Sequence, residues 1–306
     1  MSQTERERVK TEFRCGYVAL GGVPNVGKST LLNHLVAEKL AITSPKPQTT
    51  RHRLLGIVHL PRAQLLFMDM PGIIDPGSLL NESLVNTALG TLKDADVVVW
   101  LVTPQETAAE SRVILPHIRL LAKPVVIAIN KIDTIPKLEI LPLIEFYHSL
   151  LPEAPVTPVA ALTGDGLPHL LTEIINLLPK APPLYPDDQL TDQTERFLAA
   201  EFIRERVFHH TAEEIPYAAA VQLEEFDEKD RPRLIRLRAV IYVERDSQKA
   251  IMIGRKGARL KAIGQEARID LEILLGCKVY LELWVKVWKN WRKDPRALKE
   301  LGYLIS

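Results

Sequence analysis

Eight residues constrain this chain more than any others: Gly22-Val23-Pro24-Asn25-Val26-Gly27-Lys28-Ser29, which read G-x-x-x-x-G-K-S. They follow a strand-like apolar run, Tyr17-Val18-Ala19-Leu20, and open a helix-like one, Leu31-Leu32-Asn33-His34-Leu35-Val36. A loop between strand and helix turns successive backbone N–H groups inward and adds the positive helix end, which makes a cradle for anions. Gly22, Pro24, Asn25, Val26, Gly27 and Thr30 would line it, Lys28 would neutralise phosphate charge, and the Ser29 hydroxyl would sit on Mg²⁺. The pattern arises by chance in roughly one chain of this length in a hundred.

Downstream, short β-branched runs alternate with amphipathic ones through residues 16–178. Strands are expected at Tyr17–Gly21, Arg53–His59, Gln64–Met68, Val97–Val102, Pro124–Ile129 and Val156–Ala160. Helices are expected around 28–38, 80–93, 107–121, 137–150 and 167–178. Such alternation predicts an α/β domain, a mostly parallel sheet with helices on both faces. Ligands on such sheets bind at the carboxyl ends of strands, so motifs there carry weight.

Three strand ends carry one. Asp69-Met70-Pro71-Gly72 reads D-x-x-G, a pattern expected by chance about once per chain, but its place after an apolar strand raises it. Asp69 is expected to hold Mg²⁺ and the Gly72 N–H to meet a γ-phosphate. Asn130-Lys131-Ile132-Asp133 reads N-K-x-D, expected in roughly one of several tens of chains. The Asp133 carboxylate can accept from both N1–H and the 2-amino group of guanine, donors that adenine lacks on that edge. Lys131 can lie over the purine, and Asn130 can tie the base site to the phosphate loop. After the last strand, Ala160, Ala161 and Leu162 form the third end, where the Ala161 N–H is expected to donate to guanine O6.

These motifs, in this order, resemble the translation-factor-like GTPases and imply a GTP-binding domain over 16–178, preceded by a mixed-charge tail at 1–15. In GTPases, the polar, proline-punctuated stretch Ile42–Arg51 is the first switch, expected as a mobile loop, with Thr50 joining Mg²⁺ and Thr49 as its neighbour. Lys28, Thr50, Gly72 and Asn25 form the expected catalytic set, with Ser29, Thr50 and Asp69 as metal ligands. Asn25 is read as recruiting K⁺ beside the phosphates. Ile73, not glutamine, follows D-x-x-G, which predicts slow intrinsic hydrolysis.

Pro179-Lys180-Ala181-Pro182-Pro183-Leu184-Tyr185-Pro186 then marks a connector over 179–190. Beyond it the charge changes. The chain's net +1 hides 18 Lys/Arg against 8 Asp/Glu in residues 231–306, and 21 against 30 before them. A basic module of this kind is the footprint of one that meets a polyanion. Its expected order is a helix at Glu195–Phe208, strands at Tyr217–Phe226 and Leu234–Glu244, helices at Gln248–Ile253 and Arg259–Leu275, and a strand through Val279–Val287. With Gly254-Arg255-Lys256-Gly257 between two helices, residues 191–306 resemble a smaller α+β type II KH domain with a basic C-terminal tail. Gly254 and Gly257 would admit a nucleic-acid backbone, while Arg255, Lys256, Arg259 and Lys261 meet phosphates and Ile251 and Ile253 line the groove.

Taken whole, the chain resembles the Era family of bacterial GTPases with an appended KH domain. The likeness rests on Pro24–Thr30, on Gln48-Thr49-Thr50-Arg51-His52-Arg53, on Ile253–Ala258 and on Val279–Val287. It implies a GTPase switch, with GTP/GDP and Mg²⁺, that binds 16S rRNA near its 3′ end and acts in assembly of the 30S subunit. It further implies a cytoplasmic monomer able to touch the inner membrane peripherally. Ala160 stands where many members carry serine. Two alternatives stay open: a GTPase serving RNA modification, and an RNA-binding scaffold with a degenerate nucleotide site. A single phosphate loop excludes the double-G-domain assembly GTPases. Two distant cysteines, Cys15 and Cys277, read as reduced thiols. No leader and no apolar run near 18 residues is found, so no transmembrane segment is expected.

Overall fold

The structure, a computed structural model, describes residues 13–72 and 78–304. The chain divides into two compact units, one of 1–41, 50–75 and 84–192, the other of 42–49, 76–83 and 193–306.

The first unit is built on a six-stranded sheet ordered β2-β3-β1-β4-β5-β6. Its strands are β1 (Arg14–Gly21), β2 (Leu54–Leu60), β3 (Ala63–Asp69), β4 (Val97–Val102), β5 (Val125–Ile129) and β6 (Val156–Pro158). Only β2 runs antiparallel, against β3; the other neighbours are parallel. Strands β3 and β4 are buried along their whole length, as expected of a sheet covered on both faces. The helices are α1 (Lys28–Val36), α2 (Leu79–Asp94), α3 (Ala108–Leu121), α4 (Ile140–Leu150) and α5 (Leu167–Leu177). Thr107 starts α3 with a capping box, its hydroxyl accepting from the Glu110 N–H while Glu110 reaches back. This is the α/β architecture the alternation predicts.

Two local differences have clear causes. The last strand stops at Pro158 rather than Ala160, because the Ala160 N–H turns back to the Asp165 carbonyl at 2.9 Å. The 137–150 helix begins as a 3₁₀ turn at Lys137–Glu139.

The proline-rich stretch is hydrogen-bonded along the first unit. Gln64, 1% exposed, accepts from the Leu184 and Tyr185 N–H groups at 2.7 and 3.0 Å and donates to the Tyr185 carbonyl at 2.8 Å. The Cys15 N–H donates to the Pro179 carbonyl, and the Ile57 N–H to that of Leu190.

In the second unit, β7 (Ala220–Asp230), β8 (Leu234–Val243) and β9 (Lys278–Val287) form a sheet with β8 central. The helices are α6 (Glu195–His210), α7 (Ile215–Ala218), α8 (Asp246–Ile253), α9 (Ala258–Leu275) and α10 (Pro295–Glu300). The α-β-β-α-α-β order of a type II KH domain is present. The strand expected from Tyr217 instead starts at Ala220, since Pro216 sits in the first turn of α7. It also runs past Phe226, the expected end, to Asp230. There Asp227 pairs with Arg236 and Asp230 with Leu234, and Asp230 takes an ion pair from Arg236 at 2.5 Å.

Residues 42–49, expected as a mobile loop, are held within this unit by α6. The Thr43 N–H donates to Glu205 at 2.8 Å, the Lys46 ammonium donates to the Phe208 and Thr211 carbonyls, and Arg204 donates to the Thr49 carbonyl at 2.7 Å.

Gln64 is the pin for the proline-rich stretch, and its loss strands buried backbone groups. Gln64→Leu should destabilise the first unit by about 2–4 kcal/mol and open 180–190 to protease; urea unfolding with limited proteolysis checks both.

Candidate functional site

The phosphate loop joins β1 to α1, and its shape requires glycine at Gly27. That residue has φ +99°, and a Cβ there would stand 2.3 Å from the Asn130 amide nitrogen. Asn25 also takes the left-handed region, at φ 66°, with its side chain exposed. Val26 is buried and gives its carbonyl to Asn130 Nδ2 at 2.7 Å. Thr30 lies half-buried in the first turn of α1.

Lys28, only 6% exposed, donates to the Gly22 and Val23 carbonyls at 3.1 and 3.0 Å. Burial pushes its ammonium down to about 8, with Asp69 and Glu106 pulling the other way. A lysine held charged here has loop carbonyls for partners and lacks a full counter-charge, which a phosphate would supply.

Three oxygens meet beside it. Ser29 Oγ donates to Asp69 Oδ2 at 2.6 Å and lies 2.9 Å from Thr50 Oγ1, which is itself 3.4 Å from Asp69 Oδ2. Asp69 is fully buried, burial raises its pKa, and its Oδ1 has no hydrogen-bond partner among the described residues. One carboxylate and two hydroxyls are hard oxygen donors, and the orphaned oxygen needs a cation or donor, so the set fits Mg²⁺. Thr49 faces away, its hydroxyl donating to the Lys46 carbonyl at 2.8 Å. Gly72 packs on Pro24, where an added Cβ would come within 2.8 Å. Ile73, on which slow hydrolysis was argued, lies outside the described residues.

At the base end, Lys131 adopts φ 63° and its ammonium reaches the Asn25 carbonyl at 2.7 Å. Asp133 is exposed, with no hydrogen bond or ion pair among the described residues. The structure corrects one expectation here. The Ala161 N–H, assigned to guanine O6, donates to Asn130 Oδ1 at 2.9 Å. Asn130 is 2% exposed, and the two ends of its amide tie Val26 to Ala161. The Leu162 N–H beside it has no acceptor among the described residues, and the Leu162 side chain is 75% exposed.

In the second unit, Gly254 (φ 75°) ends α8 and Gly257 (φ 77°) precedes α9. Beyond them lies a cavity of about 430 Å³ between α9 and β9, lined among others by Leu260, Lys261, Gly264, Arg268, Tyr280 and Leu283. Ile251 and Ile253 are not among its lining residues, and, two apart on a helix, they cannot share one face of a groove. Ile251 is 44% exposed, and Ile253 packs on the core around Met252 and Ile263. Arg259 turns its guanidinium to the Ile251 carbonyl. Sequence reasoning missed Gly264, Arg268 and Tyr280. Gly264 was the available signal, since a glycine inside a helix costs about 1 kcal/mol and implies a close approach.

The basic excess also resolves. Arg206, Arg231, Arg236, Arg238, Lys286 and Arg292 are ion-paired. The side chains of Arg255, Lys256 and Lys261, at the G-x-x-G turn and the cavity, make neither hydrogen bond nor ion pair among the described residues.

A family model described as a 50S ribosome-binding GTPase matches residues 17–131, and a KH-domain model matches 214–292. Fold and site thus define a P-loop GTPase that carries a KH domain. The chain is 48% identical to GTPase Era of Geobacter metallireducens over 292 residues, covering 95% of this chain and 98% of that one. It is 46% identical to that of Pseudomonas aeruginosa over 292 residues, covering 95% of each. The chain belongs to the Era family. Among solved structures, it matches an Aquifex aeolicus Era variant bound to GDP·AlF4⁻ and an Era complex with MgGDPNP and nucleotides 1506–1542 of 16S ribosomal RNA. Each match has TM-score 0.92 and 42% identity, and covers 96% of this chain and 100% of that one.

One acid near the loop went unnoticed in the sequence. Glu106 follows β4, and burial lifts its carboxyl to about 7. A carboxyl raised above its ordinary 4.5 keeps, between about pH 4.5 and 7, a proton that the unfolded chain has lost. The folded state therefore loses stability as pH rises through that window, and above 7 the buried, ionised carboxylate is a fixed cost that the unfolded chain does not bear. Glu106→Gln should raise Tm at pH 8 by about 2–6 °C and leave it unchanged near pH 4.5, as thermal melts at the two pH values will show.

Proposed function

We propose that this protein is a GTP-hydrolysing switch of small-subunit assembly, which grips GTP and Mg²⁺ in its first unit and 16S rRNA near the 3′ end in its second. The observation that carries the reading is full-length similarity to an Era structure holding both MgGDPNP and 16S nucleotides.

Lys28 would leave the Gly22 and Val23 carbonyls for the β- and γ-phosphates. Ser29, Thr50 and Asp69 would hold Mg²⁺, which neutralises charge on the phosphate oxygens when bound. Gly72 would offer its N–H to the γ-phosphate, and Asp133 would select guanine with the Leu162 amide beside it. GTP would draw Thr50 and Gly72 in around its γ-phosphate, and the slow intrinsic rate follows from Ile73 after D-x-x-G. RNA would enter between α9 and β9, its backbone over Gly254–Gly257 and its phosphates met by Arg255, Lys256 and Lys261.

The finer parts of the reading are a K⁺ recruited by Asn25, a monomeric state, and a cytoplasmic location with peripheral membrane contact. The last two rest on the family resemblance. No described helix is long and apolar enough to cross a membrane.

Competition calorimetry tests the base site. Wild-type protein should prefer GTP over ATP by roughly 10⁴-fold, and Asp133→Asn should erase most of that preference; an unchanged ratio would overturn the assignment. RNA binding tests the other unit. Arg255→Glu with Lys256→Glu should weaken binding of a 3′-end 16S fragment at least about tenfold and flatten its salt dependence. The same titration with a non-hydrolysable GTP analogue and with GDP should give different affinities, and RNA must then shift GTP affinity by the same factor.

A further inference from the structure

Residues 37–53, between α1 and β2, contain neither helix nor strand, yet side chains of the first unit fix that stretch on either side of 42–49. At the far end Thr50 Oγ1 lies 2.9 Å from Ser29 Oγ. At the near end one side chain of α1, that of Asn33, holds the backbone of Leu40 and Ala41. Its Oδ1 accepts from the Leu40 and Ala41 N–H groups at 3.0 and 2.8 Å, and its Nδ2 donates to the Ala41 carbonyl at 2.7 Å. Leu40 and Ala41 are buried, so these backbone groups depend on a protein partner. Asparagine is a poor helix former because its amide competes with the backbone, and here that amide serves another segment instead of α1. The division between the two units falls directly after Ala41. Asn33 therefore secures the last residue before the first switch.

We propose that Asn33 is a positioning residue for Thr50, fixing the point from which the first switch departs so that the Thr50 hydroxyl arrives beside Ser29 and Asp69. Without the amide, the Leu40 N–H and both backbone groups of Ala41 lose their partners, and the stem must shift to satisfy them. The span that follows passes such a shift on, because it is short and is itself hydrogen-bonded at the Thr43 N–H and the Thr49 carbonyl. A misplacement of about 1 Å at a reacting group lowers rates by roughly 10- to 100-fold. The proposal rests on the reading above, in which Thr50 serves Mg²⁺ and the γ-phosphate end of GTP. GDP lacks that phosphate, so loss of Asn33 acts on GTP and its hydrolysis and spares GDP.

A double-mutant cycle tests this on the full-length protein. Wild type, Asn33→Ala, Thr50→Ala and the double variant are titrated in Mg²⁺ buffer with a fluorescent non-hydrolysable GTP analogue and with fluorescent GDP, and kcat for GTP is measured on each. Asn33→Ala should lower kcat and the ratio of GTP-analogue to GDP affinity about tenfold each, with the GDP Kd within about twofold of wild type. In the Thr50→Ala background the same substitution should change that ratio less than about twofold, because residues that act through one another are not additive. Equal losses for both nucleotides, an unchanged ratio, or a full second loss in the double variant would mean that Asn33 only supports the fold, and would overturn the inference alone. Should Asn33→Ala fail to fold, Asn33→Asp, which keeps the two acceptor bonds and loses the donor, takes its place in the cycle. It should give a smaller fall of the same sign, and a ratio identical to wild type would overturn the inference. Wild-type protein that binds neither nucleotide would overturn the functional reading together with it.

Discussion

The first unit turns on two charges that its own fold leaves unbalanced. Leu20 of β1 sits in register with Asp69 of β3, so the parallel sheet delivers the phosphate loop and the aspartate to the same edge. Lys28 and Asp69 are both removed from water there, and burial pushes each toward its neutral form. Taking such groups out of water is unfavourable unless something pairs with them. A polyphosphate with a divalent cation meets both deficits at once, anion to lysine and cation to carboxylate. The pocket is thus complementary to a ligand in charge as well as in shape.

Asn130 shows how the same unit makes the base site dependent on the phosphate site. Its amide nitrogen holds Val26 in the loop and its oxygen holds the Ala161 N–H after β6. One buried side chain therefore fixes the ends of three strands relative to one another. The missing side chain at Gly27 gives that amide its room. Asp133 stays exposed beside this scaffold.

The second unit treats charge by a different rule. Along the sheet Arg231, Arg236 and Arg238 are paired with carboxylates, and pairs this exposed contribute little to stability. At the G-x-x-G turn and along the α9 edge of the cavity the cations are left unmatched. A net basic composition has become a local positive rim beside an apolar cleft, an arrangement suited to a flexible polyanion with stackable bases. Two neighbouring residues also take different roles: Thr49 gives its carbonyl to Arg204, while the Thr50 hydroxyl meets Ser29 and Asp69.

The architecture and the chemistry of the nucleotide pocket were legible in the sequence, because both are set locally. A strand, a glycine-bearing loop and a helix are contiguous, and D-x-x-G and N-K-x-D each sit next to the strand that presents them. Thr50 was expected from the resemblance to GTPases rather than from a strand next to it, and the structure brings its hydroxyl, not that of Thr49, to Ser29 and Asp69. The sequence alone did not show that the Ala161 N–H is taken up by Asn130, since that pairing joins the ends of two different strands. Nor did it reveal the groove wall, where Gly264 and Leu283 meet only after α9 packs on β9. Glu106 was invisible as well, for its proton affinity comes from the removal of water by residues far away in the chain. Sequence specified the groups that carry charge, and tertiary packing decided which of them remain unsatisfied, because desolvation and pairing are properties of the assembled neighbourhood rather than of any residue in it.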